Sequence, residues 1–284
     1  MLVTMTTCIE NLFSNSGRNL LLSYKKVAGK KHNGLPLELL SFFNFSEWVH
    51  MLTLVVSERG LMKQSIKALI FDLDGTLVDS LPDITTAVNY TLETLGLPEV
   101  DTQTVRKMVG DGIRKLIERA ISQHHVPSEA EVENAFQIYI QYYNAHCTDQ
   151  SYVYPGVREV LEALRHQQLA VLSNKGERFT RKILALLGLA PYFQLILGGD
   201  SLSTKKPHPG GILHILKTFR VNPEQAMMVG DSTHDVEAGK AAGTITVAAL
   251  YGYREAELLK AADIHIQHPL ELLAYINQRS IAHE

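Results

Sequence analysis

The sequence predicts an α/β protein built on a doubly wound parallel sheet, with a separate helical module inserted into it. Three observations lead there. Short apolar runs without polar alternation recur along the chain, the pattern of strands buried on both faces. Amphipathic helical stretches lie between them. Most of the runs stop at a polar residue or a glycine, where such a sheet presents its carboxyl ends to ligands.

The first run, Ala68-Leu69-Ile70-Phe71, ends at Asp72. Leu169-Ala170-Val171-Leu172 ends at Ser173-Asn174, and Leu195-Ile196-Leu197 ends at Gly198-Gly199. Met227-Met228-Val229 ends at Gly230-Asp231, and residues 246–250 make a fifth strand. Helices are expected over residues 156–166, 178–187, 210–219 and 235–242. The second of these carries Phe179, Ile183, Leu184 and Leu187 on one side, with Gly188 placed to cap its carboxyl end.

One interval breaks the rhythm. Between Asp72 and Ser173 the chain reads as helices over 83–95, 102–109, 113–121 and 128–146, with no strand pattern. That is too long for a simple crossover. Residues 81–154 are therefore expected to form an inserted helical cap, closed off by Pro155-Gly156, and residues 62–80 and 155–284 the α/β core. Residues 1–61 show no sustained period and mix Lys25, Lys26, Lys30 and Lys31 with scattered apolar residues. They are expected to be a poorly ordered extension outside the fold, from an upstream start-codon assignment. A targeting or docking segment is the rival reading.

Composition narrows the function. The chain has 284 residues, 45% of them hydrophobic, and a formal net charge of -3. No segment is strongly basic, so no nucleic-acid partner is indicated. The two cysteines, Cys8 and Cys147, fit no metal or redox spacing and read as reduced thiols of a cytoplasmic protein. The best candidates for a membrane span, 20–22 and 52–56, are far too short to cross one, and the start lacks a signal-peptide layout. A monomer or homodimer in the cytoplasm, with a small-molecule partner and no membrane, is the expectation.

The polar residues at the strand ends are the candidates for chemistry. Asp72 and Asp74 leave the end of a buried strand two residues apart and enter a glycine turn, Gly75-Thr76. Like charges this close need a cation or a shared proton. Magnesium suits hard oxygen ligands, and Asp231 and Asp235 add carboxylates from a neighbouring strand end. Lys206 supplies positive charge for a phosphate, while Ser173 and Asn174 offer hydrogen bonds to its oxygens. These parts suit phosphoryl transfer, with attack by Asp72 and acid–base work by Asp74. Each motif alone is ordinary: Asp-Gly is a turn, Lys-Pro a surface loop, and Asp235 a solvated first-turn acid. The signal is the ordered set.

That set resembles the haloacid dehalogenase superfamily. Asp72-Leu73-Asp74-Gly75-Thr76 resembles its first motif, Ser173-Asn174 its second, Lys206-Pro207 its third, and Gly230-Asp231-Ser232-Thr233-His234-Asp235 its fourth. The match spans about residues 66–276. It implies a Rossmann-like core with a helical cap, and an aspartyl-phosphate formed on Asp72. It also implies magnesium held by Asp72, the Asp74 backbone carbonyl and Asp231, with Asp235 supporting Lys206. Catalysis would fall to Asp72, Asp74, Ser173 and Lys206. Phosphate would be held by Gly75, Thr76, Ser173, Asn174 and Lys206.

Within the superfamily the sequence is most similar to bacterial phosphoglycolate phosphatases. Val109-Gly110-Asp111-Gly112, Tyr154-Pro155-Gly156-Val157, Lys205-Lys206-Pro207-His208-Pro209 and Tyr251-Gly252-Tyr253 carry this resemblance. It departs at Gly176, where the family often has proline, and at Gly210, where it often has aspartate. The implied reaction is hydrolysis of 2-phosphoglycolate. Sugar-phosphate, amino-sugar-phosphate and nucleotide phosphatases are alternatives, and an inactive binding module is the reading from another class. In the cap, Arg114 reads as a solvated helix residue, His124 and His125 as loop, and Tyr139, Tyr142 and Tyr143 as packing.

Overall fold

The computed structural model describes residues 65–280. The expectations for residues 1–61, including Cys8, lie outside the described residues.

A six-stranded, fully parallel sheet forms the centre, with β1 (Ala68–Phe71), β4 (Gln168–Leu172), β5 (Leu195–Leu197), β6 (Ala226–Gly230), β7 (Ile245–Ala249) and β8 (Ile264–Ile266) in the order β5-β4-β1-β6-β7-β8. All four residues of β1 are buried, because β1 lies between β4 and β6 and both of its faces are covered. Ala68 and Ile70 pack with Ile212 and Ile215 on one face. Leu69 and Phe71 join Val157, Ile183 and Leu272 on the other. This two-sided burial explains why the strand shows no alternation in sequence.

Helices α5 (Val157–Ala163), α6 (Glu177–Leu186), α7 (Gly210–Phe219), α8 (Thr233–Ala242) and α9 (Glu271–Ser280) accompany the sheet. Gly188, at φ +67°, turns the chain out of α6 as its sequence position predicted. Strand β8 is an addition, since three residues flanked by charged and polar positions give no apolar run.

Between β1 and β4 come α1 (Leu81–Thr94), α2 (Thr102–Met108), α3 (Ile113–Ile121) and α4 (Glu129–His146). Asp101 starts α2 by accepting from the Thr104 amide at 2.9 Å, and Ser128 starts α4 by accepting from Glu131 at 3.2 Å. Ile84, Val105, Leu116, Tyr139 and Tyr143 join the same apolar cluster as one face of the sheet.

The expectation of no strand in this interval is corrected. The chain leaves the sheet through β2 (Val78–Asp79) and returns through β3 (Tyr152–Val153), which pair antiparallel. Two-residue strands are too short to show any period, so no pattern marks them. Among the described residues no helix is long and apolar enough to cross a membrane. Cys147 is a buried free thiol.

Candidate active site

The carboxyl ends of β1, β4 and β6 converge on one cavity of about 50 Å³. Asp72, Asp74, Ser173, Asn174, Lys206 and Asp231 all line it. The sheet brings them together because β1 pairs with β4 on one side and β6 on the other.

Asp72 lies directly after β1, its amide still bonded to Val229 in the next strand at 2.9 Å. Its Oδ1 accepts from the Leu73 amide at 2.7 Å and lies 2.9 Å from Lys206 Nζ. Its Oδ2 has no protein partner among the described residues. Burial pushes the Asp72 carboxyl up to about 7, Lys206 pulls it back, and Asp235 and Asp74 add to the rise. Lys206 is buried and bridges to Asp235 at 2.6 Å. Burial alone would lower its pKa, but Asp235 and Asp72 outweigh that and raise it.

Asp235 sits in the first turn of α8, and Oδ2 accepts from the Ser232 amide at 3.0 Å and from the Ser232 hydroxyl at 2.6 Å. Both of its oxygens are thus engaged, one by Lys206 and one by the turn. Gly230 is required beside it, since a Cβ there would come within 2.1 Å of the Asp235 carboxyl carbon.

Asp231 follows β6 and accepts from the Tyr253 amide at 2.6 Å. No ion pair reaches it among the described residues. Burial, then Asp72 and Asp235, push its pKa well above the usual carboxylate range. Carboxylate oxygens of Asp72, Asp231 and Asp235 lie within 4.8 Å of one another. Lys206 balances only part of that charge. An oxygen-only donor set short of positive charge fits a hard divalent cation.

Asp74 is held at both oxygens: Ser80 Oγ donates to Oδ1 at 2.5 Å, and Lys175 Nζ lies 3.1 Å from Oδ2. Tyr253, whose hydroxyl accepts from the Ser80 amide at 2.9 Å, supports that serine. Lys175, Ser80 and Tyr253 were not among the sequence candidates. Lys175 follows Asn174 in the chain, so its position beside a strand end was the signal available.

Three expectations change. Asn174 lines the cavity, but its side-chain NH2 is used on the carbonyls of Gly110 and Lys206, each at 2.9 Å, so the side chain ties two loops together and only its backbone N–H is left for a phosphate. Thr76 is buried and its hydroxyl lies 3.5 Å from Asp231, away from the cavity. Gly75, at φ +82°, passes so close to Asp231 that a Cβ would fall 2.2 Å from its Oδ2. Gly75 and Thr76 therefore shape the place of Asp231 rather than line the cavity, because the turn after Asp74 folds back over the end of β6.

The cap closes the other side with Ile84, Val109, Gly110, Gly112, Leu116 and Tyr139. Arg106 donates to the carbonyls of Tyr253 at 2.6 Å and Gly252 at 2.7 Å. Arg254 donates to Arg106 O at 2.7 Å and to Val109 O, and Lys205 to Asp111 O at 2.5 Å. Arg114 pairs with Glu129 and with Glu133 on the exposed face, as a solvated residue should. His124 and His125 lie in the turn after α3, with His125 paired to Glu131 at 2.9 Å. Tyr139 and Tyr143 are buried and stacked, with ring centroids 5.2 Å apart.

Residues 69–249 match the family model of haloacid dehalogenase-like hydrolases. The chain belongs to this family. A phosphoglycolate phosphatase of Chromobacterium violaceum is 43% identical over 211 residues, covering 73% of this chain and 95% of that protein. One from Aquifex aeolicus is 38% identical over 220 residues, covering 71% and 99%. Among solved haloacid dehalogenase-like structures, that of a predicted phosphoglycolate phosphatase from Haemophilus somnus superposes with a TM-score of 0.70 at 32% identity, covering 74% of this chain and 97% of that one. A family hydrolase from Streptococcus pneumoniae gives a TM-score of 0.66 at 32% identity, covering 74% and 98%.

Proposed function

We propose that this chain is a cytoplasmic, magnesium-dependent phosphatase that hydrolyses 2-phosphoglycolate to glycolate and phosphate. One observation carries the reading: Asp72 has one carboxylate oxygen fixed by Lys206 and Leu73 and the other without a protein partner, on the wall of a small cavity beside Asp74. The phosphoglycolate phosphatases at 43% and 38% identity support the substrate.

Asp72, the Asp74 carbonyl and Asp231 would hold magnesium, with Asp235 turned toward Lys206. When bound, the ion supplies positive charge to the carboxylates and to the phosphoryl oxygens. Lys206 offsets part of the charge of Asp72 and Asp235 and lines the cavity where the phosphoryl group would sit. Ser173 lines the same wall, its Oγ accepting from the Lys175 amide at 3.3 Å, and its hydroxyl hydrogen can turn to a phosphoryl oxygen.

Asp72 Oδ2 attacks phosphorus in line, and the bond from phosphorus to the leaving oxygen breaks. Asp74, which must first take up a proton and release one of the donors that hold it, gives that proton to the leaving oxygen, so glycolate leaves as the alcohol. Asp74 then takes a proton from water, whose oxygen attacks phosphorus. The bond between phosphorus and Asp72 breaks, and phosphate leaves with both residues restored. The cap excludes bulk water while the acyl phosphate exists.

The test is phosphate release from 2-phosphoglycolate, sugar phosphates, amino-sugar phosphates and nucleotides, each with magnesium and with EDTA. The expected result is magnesium-dependent turnover with the highest kcat/KM on 2-phosphoglycolate. Preference for a larger substrate would replace the substrate while keeping the chemistry. No turnover of any phosphomonoester would favour a binding module.

A further inference from the structure

We propose that Lys175 binds the anionic tail of the substrate, a carboxylate one methylene from the ester oxygen, and so sets the preference of this site for phosphorylated small acids. The inference rests on the phosphatase reading above and names the residue that chooses among its substrates.

Three cationic side chains line the cavity, Lys175, Lys206 and Arg254. Lys206 is taken by Asp72 at 2.9 Å and Asp235 at 2.6 Å. Arg254 directs both terminal nitrogens at the carbonyls of Arg106 and Val109. Lys175 differs. Its ammonium lies 3.1 Å from Tyr143 OH and 3.1 Å from Asp74 Oδ2, and it is 6% exposed. An ammonium has three donors. The third has no partner among the described residues, and a buried donor left unmatched is costly. The adjoining cap wall of Ile84, Ile113 and Leu116 offers no acceptor side chain. An anionic group entering the cavity supplies one.

Position makes the assignment specific. Asp74 must reach the ester oxygen to protonate it. In glycolate the carboxyl carbon is one methylene from that oxygen. A cation 3.1 Å from the proton-donating carboxyl therefore faces the end of the substrate where the carboxylate lies. Tyr143 belongs to α4 of the cap, and burial keeps its phenol neutral, so it steers the ammonium without competing for its charge. The Lys175 Nζ also lies 4.9 Å from the centre of the Tyr143 ring.

The experiment compares 2-phosphoglycolate with 2-hydroxyethyl phosphate, in which a neutral alcohol replaces the carboxylate, in magnesium-loaded wild type, Lys175→Met and Tyr143→Phe. Wild type should prefer 2-phosphoglycolate. In Lys175→Met the ratio of the two kcat/KM values should fall on the order of 10- to 100-fold, mainly through KM for 2-phosphoglycolate, the size of one charge-assisted hydrogen bond. Tyr143→Phe should lower the same ratio by a smaller factor. Equal losses on both substrates in Lys175→Met would make Lys175 a counter-charge for Asp74 alone and overturn the proposal. If that variant does not fold, an unchanged ratio in Tyr143→Phe overturns it. Wild type that turns over both esters without preference also overturns it and leaves the phosphatase reading standing. Wild type inactive on both overturns the proposal and the choice of 2-phosphoglycolate, and inactivity on every phosphomonoester overturns the phosphatase reading as well.

Discussion

The two halves of the cavity are built on opposite terms. The sheet side presents Asp72, Asp235 and Lys206, joined by short charged contacts, with Asp231 beside them held by the Tyr253 amide. The cap side presents Ile84, Val109, Leu116 and Tyr139, and its polar contributions are main-chain carbonyls and glycines. Chemistry sits where strand ends place charge rigidly, and enclosure comes from a wall with almost no charge of its own. Damage to the first half should be large and chemical. Damage to the second should be smaller and should act on closure.

The sharpest test of that contrast is Asp72→Asn. It removes the attacking oxygen while keeping the shape, so turnover should fall by about 10⁴-fold or more with an intact fold by circular dichroism. A substantially active variant would break the mechanism.

Next comes Lys206→Met, which leaves Asp72 and Asp235 buried without their cation. Chemical denaturation of the metal-free variant should show a loss of about 3–5 kcal/mol. A loss below about 1 kcal/mol would mean that the charged half is not held by this lysine.

A third test uses pH. Asp72 has a folded pKa of about 7 against an ordinary 3.8, and Asp231 is shifted the same way. Between those values the folded state binds more protons than the unfolded chain, so stability falls as pH rises through this window. Lys206, with its pKa raised, keeps its charge throughout. The melting temperature of the metal-free protein should therefore decline from about pH 4 to 7. Magnesium, which binds the ionised carboxylates, should raise it more at pH 8 than at pH 5. A magnesium effect independent of pH would place the ion elsewhere.

The smallest effect belongs to the cap. Arg106→Gln removes donors to Gly252 and Tyr253 and should lower kcat/KM by roughly 3- to 10-fold, with little change in global stability. A loss comparable to Asp72→Asn would erase the distinction between the halves.

The sequence revealed these halves unequally. Asp72, Asp231 and Lys206 were legible because unbroken apolar runs mark buried strands, and ligands gather where such strands end. The four helices between Asp72 and Ser173 were legible from a different pattern, apolar residues at helical spacing, and α3 begins and ends where that spacing placed it. The pairing of β2 with β3 was not, because two residues carry no period. Asn174 read as a phosphate ligand because its neighbours point that way. Its actual side-chain partners, Gly110 O and Lys206 O, come from 64 and 32 residues away, one from the cap and one from another loop of the core. The contact of Lys175 with Asp74 was hidden likewise, since one partner follows β1, the other follows β4, and Tyr143 reaches them from α4. Short-range pattern reports which strand end a residue occupies. It does not report which carbonyl or carboxylate that residue meets across the cavity.

The fastening of the cap has a consequence for how such a protein changes over time. Asn174 grips Gly110 O, Lys205 grips Asp111 O, and Arg254 grips Arg106 O and Val109 O. Every one of these acceptors is a peptide oxygen, present whatever side chain its residue carries. Cap residues facing the substrate can therefore be exchanged without loosening the clasp. Selectivity and closure are separable traits in this architecture, and a lineage can explore new leaving groups while the lid keeps shutting in the same place.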